Sequence, residues 1–439
     1  MKKLLLTITL VITLLVTACN PFSGRRHSLM SFSSSDKEQK IVVNSDNLSL
    51  EIIYSGEMEF NDDETAIKKM SPGGYLEYRK NGAKLLAETD SRGEIYYEFY
   101  NDGLPLDRDI NGRKFLVLAI QDMIAYGVNV KGRVDRLYQQ GGIPLVLEEA
   151  EKLKTDYVKK KYFEYMLRCD SVLPEEMTDI ALKIETSIGS DNEKRQLLEK
   201  FPADYLSDTL TAQAYFLAVK SISSDYDKAN TLKKIQQQQL SNQSIALVLQ
   251  AASTINSDND KANLLNDMIK KGTYPAENVD GLLDVTATVN SEYEKAGVLK
   301  TLMEKVTIKR EDFNKLLDVI GKISADNDKS NVLKILIKNQ PFENEHFAKL
   351  LAVTSKINSD YEKADVFKKL AEQPIRLEEN WVSLINEIPT ISSDNDKANV
   401  LLQIARKMPR SEIIKSAYLS VSKTISSEHD YARTVKDVQ

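Results

Sequence analysis

The chain has few of the residues that most often build metal and catalytic sites. Its 439 residues include 2 cysteines, 3 histidines and 1 tryptophan. His27, His346 and His429 are far apart and have no companion ligand at a suitable spacing, so the sequence predicts neither a zinc site nor a histidine-based triad. Gly73-Gly74 and Gly141-Gly142 lack the flanks of a phosphate-binding loop. We therefore expect a protein that is not an enzyme and has no cofactor.

Basic residues are fewer than acidic residues in this chain. The chain has 59 Lys and Arg residues against 65 Asp and Glu residues, for a net charge of −6. Removal of an N-terminal segment containing Lys2 and Lys3 leaves 59 − 2 = 57 basic residues and a net charge of −8. Domains that bind nucleic acid usually carry clustered positive charge. The sequence therefore predicts no nucleic-acid partner.

Long apolar runs are absent after the N-terminus. There, Lys2 and Lys3 precede apolar residues 4–16, and small residues lead to Cys19. This order indicates a secretory signal peptide, because the run is shorter than the roughly 20 residues of a spanning helix. Val16-Thr17-Ala18-Cys19 resembles the lipobox of bacterial lipoproteins. The resemblance implies removal of residues 1–18 and acylation of Cys19, so that lipid, including palmitate, anchors the protein to a membrane.

The residues after Cys19 indicate the membrane in which the protein is anchored and whether it can form a disulfide. Asn20 is not the aspartate that favours inner-membrane retention, so the lipobox resemblance implies an outer-membrane address in a Gram-negative envelope. Residues 19–38 are rich in serine and are predicted to form a flexible tether. Once Cys19 is lipidated, Cys169 has no disulfide partner, and we expect it to act as a small buried hydrophobic residue.

Residues 39–127 are predicted to form a small antiparallel β-meander domain with a packed helix. Apolar and β-branched runs separated by turn residues predict strands at 41–43, 48–54, 75–79, 84–87 and 94–100. Asn81-Gly82 between two of these runs is typical of a two-residue hairpin turn. Helices are predicted at 114–126, 134–140 and 144–154, the last two covering the apolar end of the domain that follows.

Residues 128–439 contain a phrase that recurs nine times: an aliphatic residue, two mostly small polar residues, an acid, one variable residue, then usually another acid and a lysine. The first acid, the marker acid, stands at Asp156, Asp191, Asp225, Asp258, Glu292, Asp326, Asp360, Asp394 and Glu428. The steps between them are 35, 34, 33, 34, 34, 34, 34 and 34 residues. A fixed period in this range predicts a solenoid of stacked supersecondary elements.

Each repeat is predicted to be a pair of helices. In most repeats a serine precedes the marker acid and a second acid stands three residues after that serine. This spacing resembles a capping box, in which the hydroxyl accepts from an early helix amide and the second carboxylate accepts from the serine amide. Both acids also favour the positive end of the helix dipole. Small and bulky apolar residues 4, 7 and 10 positions after the marker acid predict one buried stripe, with an aliphatic residue three positions before it.

The repeats have the length of tetratricopeptide repeats but lack that family's signature residues. Residues 222–229 and 391–398 resemble instead HEAT-like repeats of uncharacterised bacterial envelope proteins. Similar repeats follow the membrane peptidase domain of some zinc metallopeptidases, but this chain lacks the H-E-x-x-H helix, so the resemblance brings no catalytic residue. The expected fold class is mostly α: a right-handed α-solenoid of helical hairpins preceded by the β-meander domain.

The residue after the marker acid alternates between tyrosine and asparagine in the first eight repeats. Tyr157, Tyr226, Tyr293 and Tyr361 therefore recur on every second repeat. We interpret them as a candidate partner-contact edge; partial packing against the adjacent turn is the alternative.

The leading hypothesis is a lipid-anchored envelope protein that binds an unknown envelope protein through its solenoid. One alternative is an enzyme accessory subunit or hydrolase with a site where the β domain meets the solenoid. Another is calcium-dependent structural reinforcement, because Asp258-Asn259-Asp260 and Asp394-Asn395-Asp396 resemble the start of an EF-hand loop. Both of these segments lack the glycine and the third ligand of that loop.

Overall fold

The structure is a computed structural model, and it describes residues 10–16, 28–34, 38–107, 110–272, 278–436 and 438. Cys19 and most of the segment predicted as signal peptide lie outside these residues, as does much of the predicted tether. The described chain divides into two compact units, Met1–Lys200 and Phe201–Gln439. We call them the N-terminal unit and the C-terminal unit. No helix among the described residues is long and apolar enough to span a membrane.

The N-terminal unit contains an antiparallel sheet. Its strands, in spatial order, are β1 (Leu10–Val16), β2 (Ser28–Ser34), β3 (Gln39–Ser45), β4 (Leu48–Ser55), β7 (Tyr75–Lys80), β8 (Ala83–Thr89), β9 (Ile95–Asn101) and β10 (Leu104–Leu106). A separate hairpin joins β5 (Met58–Phe60) to β6 (Ile67–Met70). Alternate residues such as Leu50 and Ile52 are buried, which explains why these runs form strands. Asn81 and Gly82 have φ values of 48° and 91°, as the predicted hairpin turn requires.

The tether prediction is wrong for Ser28–Ser34. This segment is strand β2, which pairs with β1 on one side and with β3 on the other. Met30 and Phe32 alternate with serines, so they share one face of the strand: Met30 is buried, and the Phe32 ring lies 4.6 Å from that of Tyr157. The pairing also satisfies backbone groups that β3 would otherwise leave open at the sheet edge. Cleavage before Cys19 stays a prediction.

The helices of the N-terminal unit follow the sheet. They are α1 (Ile110–Ala125), α2 (Val130–Glu151), α3 (Asp156–Met166), α4 (Pro174–Ser187) and α5 (Asp191–Leu198). Helix α2 is interrupted at Gly141 and Gly142, whose backbone angles are not helical. The two halves of α2 correspond to the two helices predicted at 134–140 and 144–154.

The compact units divide at residue 200, whereas the predicted domain boundary lies between residues 127 and 128. An ion-pair cluster joins α2 to the segment between β5 and β6. The buried Arg133 donates to Glu64 at 2.6 Å, to Glu149 at 2.7 Å and to the Tyr162 hydroxyl at 3.1 Å. Arg136 also pairs with Glu64. Removing one partner would leave a buried charge uncompensated, so the cluster ties α2 to the β5–β6 hairpin.

The C-terminal unit is a stack of helical hairpins. Its helices are α6 (Thr209–Lys220), α7 (Asp225–Ile235), α8 (Asn242–Ser253), α9 (Asp258–Lys271), α10 (Val279–Ala287), α11 (Glu292–Lys305), α12 (Arg310–Gly321), α13 (Asp326–Asn339), α14 (Asn344–Ser355), α15 (Asp360–Ala371), α16 (Glu378–Glu387), α17 (Asp394–Ala405), α18 (Glu412–Ser422) and α19 (Glu428–Val435). Even-numbered helices pack on even-numbered ones and odd on odd, which gives two layers.

The core of this stack follows the predicted stripe. In the repeat that begins at Asp258, Ala262, Leu265 and Met268 are buried, and Ile255 closes the preceding helix. The small alanine lets the two helices of the hairpin approach closely. The protein is therefore mostly α, with stacked helical hairpins after an antiparallel sheet.

Candidate interaction edge

The turn between the two helices of each repeat begins the second helix at the marker acid. Helices α3, α5, α7, α9, α11, α13, α15, α17 and α19 all start at that residue. The preceding serine is the N-cap in most repeats: the Ser257 hydroxyl, for example, accepts from the Asp260 N–H. Ala325 occupies the cap position of α13 and makes no side-chain bond. The serine half of the predicted capping box is thus present.

The other half of the capping box is replaced by a bond between repeats. The serine N–H donates to the marker carboxylate of the preceding repeat, and the N–H one residue earlier donates to the same group. In one example, the two oxygens of Asp258 accept from Asn290 at 2.9 Å and from Ser291 at 2.7 Å. We call this pair of hydrogen bonds the carboxylate bridge. Among the described residues it is made by Asp156, Asp225, Asp258, Glu292, Asp326, Asp360 and Asp394.

The lysine three residues after the marker acid makes a second link. The ammonium group of Lys261 donates to the carbonyl of Thr288, at the C-terminal end of the first helix of the next repeat, at 3.3 Å. Lys363 reaches Thr390 in the same way at 2.8 Å. A cation suits the negative end of a helix dipole. Each of these repeats therefore makes two kinds of hydrogen bond to the following turn. Its marker carboxylate accepts from backbone N–H groups, and its lysine donates to a backbone carbonyl.

These lysines are unusually buried. Lys261 is 3% exposed and Lys329 is 4% exposed, and burial lowers the pKa of both ammonium groups while nearby marker carboxylates oppose that change. The sequence phrase contains the recurring lysine but does not reveal its hydrogen bond to a carbonyl, because that carbonyl belongs to the next repeat. The sequence likewise predicts that the marker acid lies at the start of its own helix, but it does not predict the hydrogen bonds that this acid accepts from the next repeat.

Two positions of each turn remain exposed after these bonds are made. In the C-terminal unit they lie two residues before and one residue after the marker acid, and we call them the interaction edge. Its residues are Ser223 and Tyr226, Asn256 and Asn259, Asn290 and Tyr293, Ser324 and Asn327, Asn358 and Tyr361, Ser392 and Asn395, and Ser426 and His429. The serine and asparagine positions before the marker acid were not recognised from the sequence, since only packing shows their exposure.

Three of the four predicted tyrosines lie on this edge. Tyr226, Tyr293 and Tyr361 are 66%, 75% and 63% exposed, and no hydrogen bond or ring contact of these side chains occurs within the described residues. Tyr157 belongs to the N-terminal unit and differs, because it packs against Phe32 and lies beneath the ammonium group of Lys161, which is 4.6 Å from the ring centroid. The alternative of partial packing therefore describes Tyr157, whereas the other three are open.

The acids of the turns form no metal-binding cluster. Within the part of the chain that the structure describes, no group of three or more His, Cys, Asp or Glu residues could hold a metal ion. Asp258 and Asp394, which begin the EF-hand-like segments, are engaged in carboxylate bridges. Their oxygens point to backbone N–H groups of the next repeat.

We expect Asp258→Asn to lower the free energy of unfolding by roughly 1–3 kcal/mol, because an amide replaces one acceptor oxygen by a donor that faces an N–H group. Asp260→Asn is the matched control. It removes the same charge from the same helix end, but no described residue donates a hydrogen bond to the Asp260 carboxylate, so we expect a loss under about 1 kcal/mol. Urea denaturation followed by circular dichroism measures both. Equal losses would show that the bridge adds nothing beyond the helix dipole.

The bridges should also make stability depend on acid pH. The Ser324 N–H donating to Glu292 holds the pKa of that carboxyl below its ordinary value of 4.5, although burial opposes the change. A carboxyl whose pKa is lowered by folding contributes stability that is present above its unfolded pKa and is lost as pH falls through the folded pKa. We expect the difference in unfolding free energy between wild type and Glu292→Gln to be largest near neutral pH and to shrink below pH 4.5. A difference that stays constant down to about pH 3 would contradict this assignment.

Comparison with known proteins leaves the chain without a family. No family model matches it, and no curated protein does. One solved structure, described as "Computational Design of Self-Assembling Cyclic Protein Homooligomers", is similar at 12% sequence identity over 72% of this chain and 98% of that chain, with a TM-score of 0.12. At that TM-score the similarity supports no conclusion about fold or function.

Proposed function

We propose that the protein is a lipid-anchored protein of the bacterial cell envelope that binds another envelope protein through the interaction edge. The proposal rests on one observation: exposed tyrosines recur along the turns, and carboxylate bridges from Asp258 and Asp326 hold the turns of Tyr293 and Tyr361. A rigid aromatic side chain offers a large contact area at a small cost in conformational entropy. The solenoid is thus a scaffold that holds contact residues at fixed intervals.

The composition of the edge supports a protein partner. Tyrosine, serine and asparagine are the residues that antibody paratopes use most, with tyrosine as the anchor and the smaller side chains as adaptable hydrogen-bonding groups. Apart from His429 in the last repeat, the interaction edge is built from these three residue types. The marker carboxylates and the lysines beneath them are bonded to neighbouring repeats, which leaves the neutral side chains to meet the partner.

The spacing of the tyrosines constrains the partner. Tyr226, Tyr293 and Tyr361 lie at the starts of α7, α11 and α15, which are alternate helices of one layer. Neighbouring helices pack 8–10 Å apart, so consecutive tyrosines are separated by roughly 16–20 Å. An extended chain advances about 3.3 Å per residue, and so it would meet a tyrosine every five or six residues, roughly. An extended segment or a flat face of a folded partner satisfies this geometry.

A hydrolytic site where the sheet meets the first repeats receives no support from the ion pairs there. Glu64 and Glu149 lie at this place, but Arg133 binds both. Although burial opposes it, hydrogen bonds from Lys152 and Arg133 hold the pKa of Glu149 below its ordinary value. A general acid at neutral pH needs a raised pKa. These carboxylates therefore suit a structural role.

The membrane part of the proposal depends on Cys19, which lies outside the described residues. Its support is the order of charge, apolar run and small residues that precedes it. We expect an alkyne analogue of palmitate, supplied to bacteria that express the full chain, to label the protein, and we expect Cys19→Ser to abolish the label. Cys169→Ser is the matched control and should keep the label. Labelling that survives Cys19→Ser would contradict the anchor.

The scaffold prediction is best tested by crosslinking at the edge. We expect a photoreactive phenylalanine placed at position 226, 293 or 361 in living cells to give a discrete crosslinked protein, because each position is exposed on the contact surface. Once mass spectrometry has identified that protein, we expect the combined variant Tyr226→Ala, Tyr293→Ala, Tyr361→Ala to bind it at least tenfold more weakly, roughly, in calorimetry.

The control variant combines Leu210→Ala, Leu217→Ala and Ile413→Ala. These side chains are also large, apolar and exposed, at 65%, 47% and 62%, but they lie on first helices of repeats, away from the edge. Their removal should leave the affinity unchanged. The proposal fails if no crosslinked protein forms at the tyrosine positions, or if the two combined variants weaken binding equally.

A further inference from the structure

A cleft in the N-terminal unit lies beside α2, α3 and the segment that follows α3. Its volume is about 810 Å³, and its wall includes Lys131, Tyr138, Lys161 and Arg168. This volume is within the range of about 300–1,000 Å³ typical of small-molecule sites. The cleft is separate from the interaction edge and plays no part in the proposed scaffold function.

The cations of this cleft have no anionic partner in the described part of the chain. Lys131, Lys161 and Arg168 form no ion pair there, whereas Lys160 pairs with Glu193 and Lys200 pairs with Glu164. The one charged-group contact is that of Lys161 with the face of the Tyr157 ring, at 4.6 Å. That contact leaves the ammonium hydrogen bonds unused.

The acidic residues of the wall do not neutralise the three cations. Glu164 is bound by Lys200, whose Nζ lies 2.6 Å from the carboxylate. Asp170 is the other acid of the wall. Three positive charges and the one negative charge of Asp170 give 3 − 1 = +2 for the cleft. This balance is opposite in sign to the charge of the whole chain, which is −6.

We propose that this cleft binds a phosphomonoester. Such a group carries a charge of about −1.5 to −2 at neutral pH and presents three acceptor oxygens, which match the net charge and the number of cations. The guanidinium of Arg168 can donate two parallel hydrogen bonds to a phosphate, and the two ammonium groups serve the remaining oxygen atoms as point charges. The Tyr138 hydroxyl, which makes no hydrogen bond within the described residues, supplies a neutral donor, and its ring supplies an apolar wall for the ester group.

A phosphomonoester can be a soluble metabolite or the headgroup of a lipid such as phosphatidic acid. The test titrates the full chain in uncharged detergent micelles with inorganic phosphate, with glycerol 3-phosphate, and with phosphatidic acid added to the micelles. We expect saturable binding in calorimetry that weakens with salt, as exposed ion pairs do. Binding of glycerol 3-phosphate identifies a soluble ester as sufficient, and binding of phosphatidic acid alone identifies the lipid source.

The test variant combines Lys131→Gln, Lys161→Gln and Arg168→Gln, and it should raise the Kd at least about tenfold, since charge-assisted hydrogen bonds are lost. The control combines Lys322→Gln, Lys407→Gln and Arg410→Gln, which removes the same three charges from exposed positions elsewhere and should leave the Kd unchanged. Circular dichroism establishes that each variant is folded, and Arg168→Gln alone, at an exposed position, replaces the combined variant if that unfolds. The proposal is overturned if none of the three probes binds saturably, or if control and test variants lose affinity equally.

Discussion

The carboxylate bridge is the interaction on which the solenoid depends. A turn that leads into a helix presents backbone N–H groups that the helix itself cannot satisfy. Here the marker acid of the preceding repeat accepts from two of them, as Asp326 does from Asn358 at 3.0 Å and from Ser359 at 2.8 Å. In some repeats the buried lysine of the same phrase donates a hydrogen bond to a carbonyl at the C-terminal end of the neighbouring helix. One short segment thus begins its own helix and also fixes the position of the next hairpin.

This double use gives a structural reason for the regularity of the phrase. The acid, the serine and the lysine each have structural partners in most repeats, so their side chains face the protein. The residues that face solvent stand at the intervening positions, where asparagine, serine and tyrosine alternate. Carboxylate bridges link the turns of Tyr293 and Tyr361 to the preceding repeats, and a backbone with such partners loses less conformational freedom on binding.

The N-terminal unit uses charge in a different way. Arg133 joins a helix to the β segment through buried ion pairs, and Lys160 pairs with Glu193 in place of the small residue found at the same position in later repeats. In the cleft beside α2 and α3, three cations instead have no ion-pair partner among the described residues. Within one unit, the paired cations stabilise the packing of elements, whereas the unpaired cations distinguish a surface that can receive an anion.

Local sequence patterns predict the helix starts, the buried stripe and the β-hairpin at Asn81-Gly82, because N-caps, helical periodicity and turn geometry are local properties of the chain. The sequence also indicated the tyrosine positions, although it could not separate Tyr157 from Tyr226, Tyr293 and Tyr361. Only the tertiary structure decided which tyrosines are open, which N–H groups the marker acids accept from, that Ser28–Ser34 is a strand, and that the compact units divide at residue 200. Each of those outcomes depends on a partner about 30 or more residues away, or on a neighbouring strand, and a local pattern contains no record of such partners.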